Sequence, residues 1–302
     1  MKKESAGTLL AIFTAIISGF AIIANKIFIV NLDPTIFTSI RALIIGIIFF
    51  VIGSFQYKFD YKKFKKVNWG YLILIGLIGG GLAFLLFFSG LKFTTSGRAA
   101  FIQKTLPLYV TILAVLFLKE KVTKKQSLAL LIMIIGLWIL MYSQITPSIL
   151  WENPSYGDML ILFATILWAI ENVIAKHTMI EGESNFIVTF ARMFIGGIFL
   201  LLSIPLFGKL DLLFTLSISQ VTNIMISTII LLGYVLFWYW SLKFINVSKA
   251  ATILLLAPVV TLILGVLMLN EPISEIQLLG SAIILIGAYF VTKVKSEFVT
   301  GV

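Results

Sequence analysis

Ten long apolar runs divide this chain, and they constrain its fold more than any other feature. A helix that crosses the hydrocarbon core of a bilayer needs about 20 apolar residues. Because backbone groups in lipid must form hydrogen bonds within their own segment, such runs fold as helices. The sequence therefore predicts an all-α integral membrane protein with ten transmembrane helices. The runs cover residues 8–30, 34–54, 70–90, 97–118, 126–143, 157–177, 186–206, 220–241, 249–269 and 277–293.

The composition indicates that lipid surrounds most of the chain. Only 12% of the 302 residues are charged, whereas a soluble domain carries roughly 25%. No soluble domain is left to present a basic face, so the net charge of +10 does not indicate a nucleic-acid partner. Cysteine is absent and there is one histidine, which excludes the common thiolate, triad and metal sites. We therefore expect no catalytic residues, no cofactor and no metal.

The distribution of lysine and arginine predicts how the chain is oriented. With the N-terminus in the cytoplasm, sixteen of these residues lie on the inner side and five on the outer side. This asymmetry predicts a multi-pass protein of the cell membrane with both termini cytoplasmic. The apolar start of the chain resembles a signal peptide, but no clear small-residue cleavage site follows it, so we interpret it as an uncleaved first span.

The chain contains an internal repeat. Residues 91–136 align with residues 242–287 without a gap, and 18 of the 46 positions are identical. We therefore predict two five-helix repeats, at 1–143 and 154–302, joined by a linker at 144–153. The repeated positions include the pairs Lys92 and Lys243, Pro107 and Pro258, Glu120 and Glu271, Gly136 and Gly287, Lys26 and Lys176, and Arg41 and Arg192.

The odd number of helices in each repeat has a topological consequence. Two copies of a five-span unit in one chain must face opposite ways across the membrane. Inverted repeats of this kind form a central site near the midplane and expose it to each side in turn. The repeat therefore favours a secondary transporter driven by gradients. A membrane enzyme, a lipid flippase, and a receptor or assembly subunit are the alternatives from other classes.

The positions that the two repeats share form a pattern with known counterparts. It comprises Ser18-Gly19 with Lys26, Trp168-Ala169 with Lys176, Arg41 and Arg192, and the Leu-Lys-Phe, Ala-Ala, Pro, Glu and Gly positions common to 91–136 and 242–287. Over nearly the whole chain this pattern resembles the drug/metabolite transporter superfamily, and within it the EamA-type permeases. The resemblance implies two copies of a five-helix domain and a cavity lined by spans such as 1, 3, 4, 6, 8 and 9. It also implies a transporter, most often an exporter of amino acids or other metabolites.

Two polar pairs depart from the symmetry of the repeat and are candidate substrate-binding residues. Gln103 and Lys104 stand where the second repeat has two leucines, and Glu171 and Asn172 stand where the first repeat has alanine and isoleucine. A charge near the middle of a span should face protein or water rather than lipid. Lys104 is predicted to contact an anionic substrate group, or to pair with an internal carboxylate. Glu171 is the candidate for proton coupling or for binding a substrate amine, with an ion pair to Lys104 as the structural alternative.

Other residues are weaker candidates. Trp168 and Tyr234 lie deep enough in their spans to line a cavity. Pro107 and Pro258 each free a backbone carbonyl one turn earlier, which is tolerated only beside protein or water, so this pair predicts the cavity and its hinges. Arg41 and Arg192 are matched by the repeat, which favours a structural role for both.

These residues lead to one preferred function. If Lys104 and Glu171 line one cavity, one positive and one negative group suit a zwitterion such as an amino acid. We therefore expect a small-molecule substrate in a lipid-embedded transporter, and the preferred function is an amino-acid or related metabolite exporter that works by alternating access. Nucleosides, sugars, drugs and lipids are the alternative substrates.

Overall fold

A computed structural model describes residues 2–28, 32–56, 67–142 and 154–295, and its architecture is helical. Ten helices are long and apolar enough to cross a membrane, which confirms the predicted all-α membrane fold with two inverted five-helix repeats. The predicted linker at 144–153 lies outside the described residues. The helices are α1 Lys2–Phe28, α2 Pro34–Gln56, α3 Trp69–Gly90, α4 Gly97–Phe117, α5 Lys124–Met141, α6 Tyr156–Ile180, α7 Asn185–Leu206, α8 Ile218–Leu242, α9 Val247–Leu269 and α10 Glu275–Lys293.

Hydroxyl side chains fix where several of these helices begin. The Ser155 hydroxyl accepts a hydrogen bond from the backbone N–H of Asp158, whose carboxylate accepts one in return from the N–H of Ser155. Ser217 and Ser274 form the same reciprocal arrangement at the starts of α8 and α10. Each pair satisfies backbone donors that the helix itself leaves open. The first turns of these helices are therefore closed by local sequence.

The two repeats pack by exchanging partners across their pseudo-twofold axis. Helix α1 packs against α8 and α9 of the second repeat, and α6 packs correspondingly against α3 and α4 of the first. Helix α2 packs on α7, and α5 packs on α10. We call the end of the bundle where α1 begins the N-face, and the end where α2 begins the far face. Most of the interhelical contact is thus made between the repeats rather than within them.

Four of the ten helices contain a stretch that is not regular α-helix. Helix α4 is interrupted at Thr105, just before Pro107, and α9 has a 3₁₀ turn at Leu254–Leu256, just before Pro258. Proline removes a backbone donor and disturbs the preceding turn, so the matched prolines account for both interruptions. The other two stretches are π-helical and pack against each other, at Gly76–Leu82 in α3 and Ala191–Ile195 in α7.

At the far face, Asp33 ties the start of α2 to the end of α7. Its carboxylate accepts hydrogen bonds from the backbone N–H groups of Thr35, at 2.9 Å, and Ile36, at 3.3 Å, and pairs with Lys209 Nζ at 2.5 Å. Burial alone would raise the pKa of Asp33, but its bonds to Lys209 and to the two backbone donors lower that pKa below its usual 3.8. The charged form is therefore the one that stabilises the fold.

The lowered pKa of Asp33 predicts a pH-dependent effect of Asp33→Asn. The amide keeps an acceptor for the helix cap but loses the charge, so we expect a loss of about 1 kcal/mol or less at neutral pH. The contribution of a depressed carboxyl pKa is present above the ordinary value of 3.8 and disappears as the pH falls through the folded-state pKa. Thermal unfolding of the purified variant should therefore differ from wild type at pH 7 and converge with it below pH 3.8. A difference that stays constant over this range would contradict the ion pair.

Candidate functional site: a buried charge cluster between the repeats

Glu171 is the centre of the candidate site. It lies on α6, and its side chain is fully buried. One carboxylate oxygen, Oε1, accepts a hydrogen bond from the hydroxyl of Tyr239 on α8 at 2.5 Å. The other oxygen, Oε2, lies 3.5 Å from Nε of Arg192 on α7. Three helices of the second repeat therefore bring one carboxylate, one guanidinium and one hydroxyl together in a buried cluster.

The pair between Glu171 and Arg192 is loose. Within the described residues, neither Glu171 Oε2 nor Arg192 Nε has a hydrogen-bond partner, although both atoms are buried. The Arg192 guanidinium also lies 5.8 Å from the ring centre of Tyr239. An unsatisfied polar atom in a buried site costs free energy. The cluster therefore offers one acceptor and one donor that a proton or a ligand can satisfy.

Glycines of α3 allow the first repeat to close over this cluster. A methyl group on Gly79 would overlap the Glu171 side chain, lying 2.7 Å from its Cβ. A methyl group on Gly80 would overlap the backbone carbonyl of Arg192 and lie 2.9 Å from Cα of Gly196. Small residues of this kind let membrane helices approach backbone to backbone. The π-helical stretches of α3 and α7 meet at this contact, and single π-helical turns occur frequently at functional sites.

A second set of hydrogen bonds holds α6 beside the cluster. Asn172 donates to the carbonyl of Trp168 at 2.8 Å and accepts from Trp238 Nε1 at 2.9 Å. Trp168 Nε1 in turn donates to the carbonyl of Gly79 at 3.0 Å. Trp168 and Asn172 are both buried. Their polar groups therefore bond to protein and orient α6 against α3 and α8.

The remaining predicted site residues differ in their relation to the cluster. Tyr234 lies within electrostatic range of Arg192 and Glu171, so it belongs to the surroundings of the cluster. Glu171 forms its ion pair with Arg192 and not with Lys104. The predicted alternative of an ion pair between Lys104 and Glu171 is therefore wrong. In the part of the chain that the structure describes, the side chains of Gln103 and Lys104 make no hydrogen bond or ion pair with protein. Lys104 is thus a cation within a span, without a protein counter-charge among those residues.

Arg192 and Tyr239 are the two members of the cluster that sequence reasoning did not assign to it. Tyr239 lies three residues before the end of α8, and Arg192 lies seven residues after the start of α7, both at the N-face. Glu171 lies nine residues before the end of α6 at the same face. At 1.5 Å per residue the two backbones differ in depth by only about 3 Å. Comparing depths would therefore have pointed to this pair.

The repeat mate of Arg192 has different partners. Arg41 Nη1 donates to Ser227 Oγ at 2.7 Å and to Asn25 Oδ1 at 3.5 Å, and its Nε donates to the carbonyl of Phe37 at 3.1 Å. Among the described residues it forms no ion pair. The first repeat has alanine at the position that corresponds to Glu171. The ion pair between Glu171 and Arg192 therefore has no counterpart in the first repeat, and it lies in the half of the membrane nearer the N-face.

Two ion pairs between the repeats lie at opposite ends of the bundle. At the far face, Arg98 at the start of α4 pairs with Asp158 at the start of α6. At the N-face, Lys249 at the start of α9 pairs with Glu4 at the start of α1 at 3.1 Å. The repeat places Arg98 and Lys249 at equivalent positions. Each end of the bundle thus has one closed contact between the repeats, and the repeat relates the two cations but not the two acids.

Comparison with known protein families covers both repeats of this chain. The model of the EamA-like transporter family matches residues 5–142 and 155–293. The fold is also that of a solved crystal structure, which superposes with a TM-score of 0.76 over 96% of this chain and 98% of the other, at 16% sequence identity. At that identity the superposition shows a shared fold only.

Several similar sequences come from bacteria and archaea. The uncharacterized transporter YoaV of Bacillus subtilis is 26% identical over 287 residues, covering 93% of this chain and 94% of its own length. An uncharacterized transporter of Archaeoglobus fulgidus is 26% identical over 284 residues, covering 91% of this chain and 94% of its own. The uncharacterized transporter YyaM of Bacillus subtilis is 30% identical over 217 residues, covering 71% of this chain and 70% of its own.

Proposed function

The chain belongs to the EamA-like transporter family, and from that premise we propose that it exports amino acids or closely related small metabolites across the plasma membrane. The observation that carries this proposal is the loose, buried pair of Glu171 and Arg192 in the second repeat, where α3 of the first repeat covers it. A buried ion pair is costly unless every polar atom is bonded, so two unsatisfied atoms at this depth favour a site that exchanges partners. Charged residues inside a membrane protein commonly mark such a pathway.

The charges of the site favour a zwitterionic or carboxylate-bearing substrate. Arg192 already balances Glu171, whereas Lys104 has no protein counter-charge among the described residues. A substrate carboxylate can therefore pair with Lys104 without displacing a protein acid. A substrate amine or a proton would compete with Arg192 for Glu171, and this competition is the proposed means of coupling transport to a proton gradient.

The two ion pairs between the repeats suggest how access alternates. In the proposed cycle, Arg98 and Asp158 separate when the far face opens, while Lys249 and Glu4 stay paired at the N-face. The opposite exchange opens the N-face. The positive-inside distribution of lysine favours the N-face as the cytoplasmic one, and both termini would then be cytoplasmic. Pro107 and Pro258, beside the two interrupted turns, are the proposed hinges.

Transport by the purified protein in liposomes tests this proposal. Labelled leucine, glutamate, lysine, a nucleoside, a hexose and a phospholipid should be compared with and without a pH gradient. We expect an amino acid to cross, and a response to the gradient. Movement of the phospholipid alone would indicate a flippase, and movement of the nucleoside or hexose alone would indicate another solute class. Either result would overturn the proposed substrate.

Lys104→Leu tests the predicted substrate contact within the same experiment. Leucine is the residue that the repeat places at the equivalent position 255, so the variant should fold. Loss of one charge-assisted bond predicts at least about a tenfold fall in transport. Lys92→Gln is the matched control, because it removes one lysine from an exposed position of the far face. This variant should transport normally. Normal transport by Lys104→Leu would remove this residue from the substrate site.

A further inference from the structure

A cavity opens at the N-face beneath the buried charge cluster. Its volume is about 520 Å³, and it lies between the ends of α2, α6 and α8 and the start of α7. Because three of these four helices also carry Glu171, Tyr239 and Arg192, the cavity and the cluster are stacked along the same helices. Its lining includes Gln56, Lys176, Glu183, Asn185, Leu242 and Lys243.

Asn185 is the side chain that points to a ligand in this cavity. It is only 4% exposed, yet it lines the cavity wall. Its backbone carbonyl accepts a hydrogen bond from the Thr189 hydroxyl at 2.7 Å. Within the ranges that the structure describes, its side-chain amide bonds to no protein group. Neither atom of this amide is among the sealed, unsatisfied polar atoms of the described residues. The amide is therefore open to the cavity, and a polar group that enters can form a hydrogen bond with it.

The charges around the cavity favour an anionic ligand. Lys176 is buried, and its Nζ donates to the carbonyl oxygens of Leu242 and, at 3.0 Å, of Ile245. Lys243 lies exposed at the rim. The carboxylate of Glu183 is already engaged, because it accepts a hydrogen bond from the backbone N–H of Asn68 at 3.0 Å. With two lysines and one glutamate in the lining, the net charge of the cavity is positive.

Apolar side chains form another part of the wall. Met179, Ile180 and Leu242 face the cavity from the ends of α6 and α8. A ligand that matches this lining carries a carboxylate at one end, for Asn185 and Lys243, and an aliphatic body at the other. A branched-chain amino acid or its acid analogue has this shape, and 520 Å³ is within the usual volume of a small-molecule site.

We propose that this cavity is an entry site for small aliphatic carboxylates, where the substrate binds before it reaches the Glu171–Arg192 pair. The inference rests on the proposed transport function and specifies where the substrate first binds. Lys176 follows Glu171 by five residues, and Asn185 precedes Arg192 by seven. At 1.5 Å per residue the entry site lies about 10 Å below the pair, so a carboxylate reaches Arg192 by one short step.

Calorimetric titration of the full-length protein in detergent tests the site without requiring transport. Three probes share one aliphatic body: L-leucine, 4-methylpentanoate, which keeps the carboxylate alone, and 3-methylbutylamine, which keeps the amine alone. We expect the two carboxylates to bind and the amine to bind at least about tenfold more weakly. Equal affinity for all three, or no binding of either carboxylate, would overturn the proposal.

Two variants locate the binding. Lys243→Gln should weaken carboxylate binding about fivefold, and Asn185→Leu should weaken it further. Lys92→Gln removes the repeat mate of Lys243 at the far face and should leave binding unchanged. Lys243 and Lys92 are both exposed, so their variants should fold equally well. Unchanged affinity in Lys243→Gln and Asn185→Leu would place any carboxylate binding elsewhere and overturn the entry site.

The two proposals can fail separately. Carboxylate binding that these variants weaken, in a protein that moves none of the labelled solutes across liposomes, would uphold the entry site and overturn the transport proposal. Amino-acid transport with an unchanged Michaelis constant at the N-face in Lys243→Gln and Asn185→Leu would uphold transport and overturn the entry site.

Discussion

Arg192→Gln should yield a protein that unfolds far more readily than wild type, and adding Glu171→Gln should restore most of the loss. Removing one partner of a buried ion pair leaves the other charge uncompensated, which costs roughly 3–5 kcal/mol. Glu171 is fully buried and has Arg192 as its ion-pair partner. Replacing both residues leaves two neutral amides beside the Tyr239 hydroxyl, so most of the penalty disappears. The fraction of monodisperse protein after stepwise heating measures the effect.

Arg41 provides the matched control for this pair. It is the repeat mate of Arg192 and is buried, but its hydrogen bonds go to neutral groups. Arg41→Gln should therefore combine additively with Glu171→Gln, without any rescue, since the two sites share no bond. If the Glu171 and Arg192 changes were also additive, or if Arg192→Gln were as stable as wild type, the buried pair would not exist as described.

The same double variant separates folding from coupling. With both charges gone, the site has no carboxylate to take up a proton and no arginine to release. We expect the Glu171→Gln, Arg192→Gln protein to fold and to lose any response of transport to a pH gradient. A folded double variant that still responds to the gradient would show that coupling occurs at another residue.

The second large effect is expected from Gly80→Ala. The added methyl group would overlap the backbone carbonyl of Arg192, and backbone atoms cannot move aside as a side-chain tip can. Helices α3 and α7 would have to separate, opening the contact that covers the charge cluster. Overpacking of a tight interface typically costs 1–3 kcal/mol and occasionally more. We expect a cost at or above the upper end of that range, together with loss of transport.

Gly233→Ala is the control for that substitution. Gly233 lies within α8, and among the described residues Cδ1 of Ile17, at 3.4 Å, is the one atom near its added methyl group. Alanine is about 1 kcal/mol more favourable than glycine in a helix interior, so this variant should be neutral or slightly stabilised. Comparable heat stability of Gly80→Ala and Gly233→Ala would contradict the backbone contact between α3 and α7.

Much of the architecture could be predicted because the length of each apolar run in the sequence sets the limits of a membrane helix. The ten apolar runs agree with the ten helices to within a few residues at most ends; α1, which begins six residues earlier, differs most. Ser155, Ser217 and Ser274 close helix starts through contacts three residues away, and such contacts are visible in the order of residues. The matched prolines likewise predicted a disturbance, and α4 and α9 are interrupted beside them.

The charge cluster could be predicted only in part. The depth of Glu171 in α6 follows from the sequence, but its partners depend on which faces of α7 and α8 turn toward it. An irregular turn at Ala191–Ile195 contains Arg192 itself and determines the face of α7 on which this residue lies. A π-helical turn rotates the side chains that follow it around the helix axis, and no residue pattern in this sequence predicts such a turn. The ion pair therefore forms with Arg192, while Lys104 keeps the role of a predicted substrate contact.

The exchange of partners between the repeats has a consequence for biosynthesis. Helix α1 leaves the ribosome before α8 and α9, yet it packs against both of them. Until α8 and α9 are inserted, the interior faces of α1 to α5 lie uncovered in the bilayer, and Glu4 cannot pair with Lys249. The first repeat is thus held by the insertion machinery and by lipid rather than by its own packing. Ribosomes that stall between the repeats would release a membrane-inserted fragment with no completed core, which is a substrate for quality-control proteases.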